Sequence, residues 1–258
     1  MSNNIFLYKG GKLTQFGSEK LPESQVKNNI DWVIYGTKED WVNRQPQYYD
    51  YLSKTSPKNT AILKTKNRQV YGKGLEIFDT AFIDTQDKIK LQTFIKLTKN
   101  SRVTQRIISD RNKYNGFAVE VIFDKAGEII MPHHVPFEDV RVSKKVYNKD
   151  NELEPTKYYY TSDWSLGVAK IKMAPDFTEF EEWDWDAEKY DKEKRYLIYY
   201  KGEDYIQEYY PLPDYLGGVP YISADTEVAN FVENNVKNGF TGGYLVNFYN
   251  GEPDDDQK

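Results

Sequence analysis

At Asn115-Gly116 the apolar period of this chain changes from three-and-four to two, and that switch limits the folds open to it. Ahead of it lie helical patterns. Thr37 reads as an N-cap, with Glu39 and Asp40 in the first turn of a helix running to about Ser53. Trp41, Tyr48, Tyr49 and Leu52 fall on its buried side, and Pro46 should bend or restart it. Ser56-Pro57 starts a second helix, an N-cap followed by a proline in the first turn. It carries Ala61, Ile62, Gln69 and Val70 and ends at Gly72, where "GKGLEIF" reads as a turn and a strand. A third helix spans Asp87 to Lys99, with Leu91, Phe94, Ile95 and Thr98 on one stripe. A fourth opens near Ser101, turns Val103, Ile107, Ile108 and Tyr114 inward, and closes at Asn115-Gly116.

Beyond the switch the pattern is that of strands. "FAVEVIFDKAGEIIM" reads as a hairpin with Gly127 in its turn, and "PFEDVRVS", "TKYYYTSDW", "EEWDWDAE" and "KRYLIYYKGEDYIQEYY" extend the β-rich part. Residues 201–204 form the turn of a second hairpin, and "PLPDYLGGVP" is a loop into a final helix from Thr226. That helix sets Val228, Phe231, Val232 and Val236 on one stripe and stops at Asn238-Gly239. A strand follows, with Tyr244, Val246 and Phe248 alternating with Leu245, Asn247 and Tyr249. Elements that segregate in this way predict an α+β fold and argue against a doubly wound nucleotide fold. The predicted organisation is an N-terminal arm over 1–36 and a body over 37–258, helical at 37–116, β-rich at 117–225 and ending in a helix and strand at 226–253. The apolar face of that last pair, so near the end of the chain, predicts a continuation or a docking contact with further copies.

The chain of 258 residues has no cysteine, which excludes disulfides, thiolate metal sites and cysteine nucleophiles. The opening "MSNNIFLYKGGK" has no apolar core of a signal peptide, and no run approaches the ~18 apolar residues of a membrane span. Aromatic residues make up 16%, with 22 tyrosines, a side chain suited to amphipathic strands and interfaces. Charge is uneven. Residues 1–114 hold 20 Lys+Arg against 11 Asp+Glu, a net of +9, and the remainder holds 15 against 29, a net of −14. Such a split suits contact with nucleic acid, head-to-tail packing of subunits, or two solvated faces.

The chemical candidates are few. His133-His134 is the only histidine pair; it sits between Pro132 and "VPFEDV", where a connecting loop is expected, and adjacent histidines on a strand would point to opposite faces. Asp184 and Asp186 share a face if they lie on a strand, but Trp183 and Trp185 alternate with them as in an ordinary half-exposed strand, and no calcium-loop spacing is present. The glycines at 72–74 and 239–243 lack the lysine and hydroxyl of a phosphate loop. Lys64, Lys66, Arg68 and Lys73 cluster around one helix end and are the candidate nucleic-acid contacts, weighed against a solvated helix face. Trp183, Trp185 and Tyr158–Tyr160 would serve a carbohydrate or peptide if exposed in one concave patch. No set of residues assembles an active site, so no enzymatic activity, cofactor or metal is expected.

Three segments in order resemble portal proteins of tailed bacteriophages, above all those of Bacteroidetes phages and prophages. They are "DWVIYGTKEDWVNRQPQYYDYLSKTSPKNTAILKTKNRQVYGKGLEI", "DRNKYNGFAVEVIFDKAGEIIMPHHVPFEDVRVSK" and "YYPLPDYLGGVPYISADTEVANFVENNVKNGFTGGYLVNFYNGEP". The resemblance spans nearly the whole chain. It implies a structural role in a ring, usually of twelve subunits, at a capsid vertex, in the virion and, during assembly, in the host cytoplasm. The implied partners are copies of the chain, terminase, capsid and head–tail connector proteins, with phage DNA passing non-specifically and no membrane. The resemblance reaches only the α+β wing of that family. Stem and clip, which follow the wing, are not matched, so the chain is expected to be a wing portion, a remnant or a repurposed module. The alternative is a cytoplasmic, aromatic-rich binding module without catalysis.

Overall fold

The computed structural model describes residues 6–9, 12–15, 30–35, 43–76, 84–123, 129–147, 153–185, 190–191, 193–203 and 209–237. Strands β1 (Phe6–Lys9) and β2 (Lys12–Gln15) pair as an antiparallel hairpin. Four helices follow: α1 (Gln45–Thr55), α2 (Pro57–Tyr71), α3 (Thr85–Ser101) and α4 (Val103–Tyr114). The β-rich part holds β3 (Gly116–Phe123), β4 (Ile129–Val135), β5 (Val140–Val142), the hairpin β6 (Lys145–Tyr147) and β7 (Leu153–Pro155), β8 (Lys157–Tyr160), β9 (Thr178–Glu182) and β10 (Tyr196–Lys201). A short helix, α5 (Val168–Lys172), lies between β8 and β9, and α6 (Val219–Lys237) ends the described chain. The fold is α+β.

Six strands form one sheet in the order β4-β3-β10-β9-β8-β5. All its pairings are antiparallel except β9 with β10. Pro132 lies in β4, an edge strand, where its missing N–H interrupts no ladder toward a further neighbour. At the other edge, Trp32 bridges Ser143, and the Val33 amide donates to the Val142 carbonyl at 2.9 Å. Trp32–Tyr35, at the end of the stretch expected to form an arm, is therefore buried against the sheet.

The helix starts follow their local chemistry. Pro46 sits in the first turn of α1, where a proline is tolerated, so it begins the helix rather than bending it. Tyr49 and Leu52 are buried there as expected, while the Thr37–Trp41 start lies outside the described residues. Ser56 caps α2, its hydroxyl accepting from the Asn59 amide at 3.2 Å, and Gly72 closes the helix at φ 51°. Most of the apolar residues of α2 do not reach the core. Asn59 and Leu63 are its buried residues, while Ala61, Ile62, Gln69 and Val70 face solvent. Arg102, at φ 56°, breaks α3 from α4, and Asn115, at φ 64°, ends α4 in the left-handed conformation. Of the strand expected in "GKGLEIF", Leu75 and Glu76 are in no strand; its remainder, the turn with Gly127, the returning strand after residue 204 and the final strand at 244–249 lie outside the described residues.

The main core lies between α1, α4 and the sheet, and tyrosine builds much of it. Tyr35 stacks on Tyr210 with ring centres 4.0 Å apart. The Tyr35 hydroxyl donates to the Pro211 carbonyl at 2.7 Å; that of Tyr210 donates to the Val33 carbonyl at 2.5 Å and accepts from the Val142 amide at 3.1 Å. These phenols bury large rings without leaving a hydroxyl unpaired. Where α4 meets the end of β10, the Gly202 amide donates to the Asn115 carbonyl at 2.7 Å. A Cβ on Gly202 would lie 2.6 Å from that same carbonyl oxygen, so only glycine permits the approach.

The final helix begins at Val219, earlier than the expected Thr226, with Pro220 in its first turn. The loop expected over "PLPDYLGGVP" thus gives way to helix at its last two residues, which have the geometry that a first-turn proline favours. Val219 and Thr226 are buried against the helical layer and Ile222 packs on the core. Past Thr226 the helix leaves the body: Val228, Phe231, Val232 and Val236 are all exposed, Phe231 by 67%.

Candidate functional site

The four basic candidates do not form one patch. Lys64 and Arg68 are exposed and four residues apart on α2, so they share a face. Lys66 points elsewhere, its Nζ 3.4 Å from Asp214 Oδ2, the carboxylate that Arg111 also approaches at 3.8 Å. Lys73 is exposed in the turn after Gly72. Beside them Ala61, Ile62, Thr65, Lys66 and Gln69 line a shallow depression of about 460 Å³. The face is thus mixed, with apolar groups set among the lysines.

Both histidines lie in β4 rather than in a loop, because the period-two pattern of β3 carries across the hairpin to Val135. They point to opposite faces as adjacent strand residues must. His133 is exposed opposite Glu120, while His134 turns inward, its Nε2 hydrogen-bonded to Asp110 Oδ2 at 2.7 Å. Asp110 Oδ2 also accepts from the Phe137 amide at 3.4 Å. No side-chain hydroxyl is hydrogen-bonded to His134 among the described residues.

His134 belongs to a larger buried polar layer where α1, α4 and the β4–β5 connection meet. Lys113 Nζ lies 2.7 Å from Asp50, which also pairs with Lys54. Burial alone would raise the Asp50 carboxyl, but the hydrogen bonds from Lys113 and Lys54 outweigh it and hold the group below its usual range. Burial raises the Glu138 carboxyl, and the Asp110 charge adds to it. Asp139 is pushed up to about 7, by burial first and then by the charge of Glu138, although Gln47 donates to it at 3.2 Å. The same burial, with Glu138, Asp50 and Asp110 nearby, pushes the Tyr114 phenol far up.

Arg141 is the keystone of this layer and is wholly buried. Its Nε donates to Asn43 Oδ1 at 2.7 Å, Nη1 to the carbonyls of Glu138 and Val140 at 2.8 Å each, and Nη2 to the Asn43 carbonyl. The guanidinium also lies over the Trp164 ring, 4.8 Å from its centre. Every donor is directed at the chain itself, so the group holds loops together. The sequence does carry a signal for the layer. Val103, Ile107, Asp110 and Tyr114 are spaced four, three and four, so an acid stands in the inward stripe of α4.

The aromatic platform does not form. Trp183, Tyr158 and Tyr159 are buried, with Trp183 stacked on Tyr190 at 4.2 Å between ring centres. Trp185 alone is open, 76% exposed, its ring set edge-on to Trp183. Asp184 is exposed, whereas Asp186 lies outside the described residues. Among the described residues no group of three or more histidines and acids is placed to hold a metal ion, and no helix is long and apolar enough to cross a membrane. The chain matches no known protein-family model and no curated protein.

Proposed function

We propose that this chain is a non-catalytic structural subunit of the tailed-phage portal type, its α+β body corresponding to the wing. In that role it works in the virion at a capsid vertex, after assembly in the host cytoplasm. Its partners are copies of itself, the terminase, capsid and connector proteins, and DNA contacted through phosphate.

The observation that carries the reading is α6, which leaves the body past Thr226 with its apolar residues in solvent. A helix of that kind belongs to a protein that works against neighbours. Three further features support it: the ordered sequence resemblance, the basic front and acidic back of the chain, and the use of buried acids, histidine and arginine in internal pairs. Opposite charge on successive faces favours head-to-tail contacts, and such contacts close into rings when the rotation permits.

Negative-stain microscopy of the full chain at high concentration and low salt tests the reading. Closed rings are expected. A population of monomers only, or open aggregates without rotational symmetry, would count against it.

A further inference from the structure

On α6, Tyr221, Ala224, Val228, Phe231 and Asn235 follow one another at spacings of three, four, three and four. That is the seam of a helix built to lie along another helix. It runs on the side away from the body, because Val219, Ile222 and Thr226 hold the opposite side against the helical layer. Most of the seam is open: Tyr221, Val228 and Phe231 are among the most exposed large side chains, Val232 widens the stripe, and Asn235 is half-buried.

We propose that α6 is a self-association helix that lies in parallel beside α6 of a second copy. Three observations select that occupant and that direction. First, Asn235 interrupts an otherwise apolar seam. Against an arbitrary apolar helix its amide would lose hydrogen bonds, whereas in a parallel pair it meets the same amide of the second copy and both are satisfied. Second, Val228 occupies the same seam position as Asn235, seven residues away, and a β-branched residue there favours a parallel two-stranded pair. Third, the flanking charges do not oppose this direction. In parallel register Glu227 faces Val232 of the second copy, and Asp225 faces Pro220, so no like charges meet across the seam. Asp225 is moreover engaged within its own chain, accepting from the Ser56 hydroxyl at 2.7 Å.

Two heptads cover less than the roughly 800 Å² per partner of a standard interface, so the association is concentration-dependent. The inference does not rest on the portal reading, since a pair of copies without any ring would satisfy it.

The test uses the full chain. Sedimentation velocity over a wide concentration range should show the 30.3 kDa monomer giving way to a larger species. Phe231→Glu should weaken that association by roughly tenfold or more while leaving the melting temperature of the dilute monomer unchanged, because the ring faces solvent in the single copy. The absence of native cysteine makes Asn235→Cys a clean reporter of direction. Under mild oxidation it should cross-link two copies, since a parallel pair places the two positions level, whereas an antiparallel pair centred on the same seam holds them about 20 Å apart. A wild-type chain that stays monomeric to about 0.5 mM overturns the proposal. So does association indifferent to Phe231→Glu, or association without the Asn235→Cys cross-link. A monomer that melts lower in Phe231→Glu also overturns it, in favour of cover from within the same chain. Cross-linked pairs that never close into rings would uphold this inference and remove the portal reading.

Discussion

Asp139 shows how one residue sets a property of the whole fold. Its carboxyl holds a proton to about pH 7 in the native state, while in the unfolded chain it releases it near pH 4. Between those values the native state binds more protons, so this group lowers stability as pH rises through the window. Glu138, raised by burial, acts in the same direction. Asp50 works with the opposite sign: its carboxyl is held low, and its contribution is lost only as pH falls through the acid range below about 4. The windows do not overlap. Asp139→Asn should therefore flatten part of the fall in stability between pH 5 and 8, by on the order of 1–2 kcal/mol, in denaturant titrations at the two pH values. An unchanged difference would show that Asp139 is ionised throughout.

At the scale of elements, helices α2 and α6 are joined through one cap. Ser56 receives the Asn59 amide and in turn donates to Asp225 Oδ2, while the Lys58 amide also donates to that carboxylate at 3.2 Å. Ser56→Ala should thus lose a cap and an inter-helix bond together, costing about 1–2 kcal/mol in equilibrium unfolding. A loss below about 0.3 kcal/mol would mean that water replaces the hydroxyl without penalty. The capped start of α2 and the left-handed stops of α2 and α4 were legible in sequence because they depend on local chemistry at Ser56-Pro57, Gly72 and Asn115. The buried face of α2 was not. Ile62 and Val70 satisfy the helical period equally well whether the face meets a core or water, and tertiary placement alone sends Asn59 and Leu63 inward. The sequence around His133 and His134 suggests a loop because Pro132 precedes them and proline signals a break; on an edge strand it breaks nothing. Asp110 in the inward stripe of α4 was legible, but its partner, His134, required the fold to bring a helix and a strand together.

For the whole molecule, charge decides what the helical face does toward DNA. With Lys66 turned to Asp214, Lys64, Arg68 and Lys73 remain for phosphate. Three contacts give a salt slope of about −2.7, so affinity for duplex DNA should fall roughly 40-fold between 50 and 200 mM salt. Asp214→Asn leaves Lys66 on a different side of α2 from Lys64 and Arg68, so the slope should stay near about −2.7. No detectable binding at ~50 mM salt in a fluorescence-anisotropy titration would mark the face as merely solvated. The two-part charge split was plain in the sequence, but the partner of each lysine was not, since Asp214 lies far along the chain from Lys66. The stacked pair of Tyr35 and Tyr210 bears on how the molecule is made. One phenol joins Val33, Val142 and the segment after β10, so the core has no closed form until Tyr210 has been synthesised and has left the ribosome. The helices can form as they emerge, but Trp32–Tyr35 must wait with its aromatic side chains exposed, and at ~5–20 residues per second that wait lasts on the order of ten seconds or more.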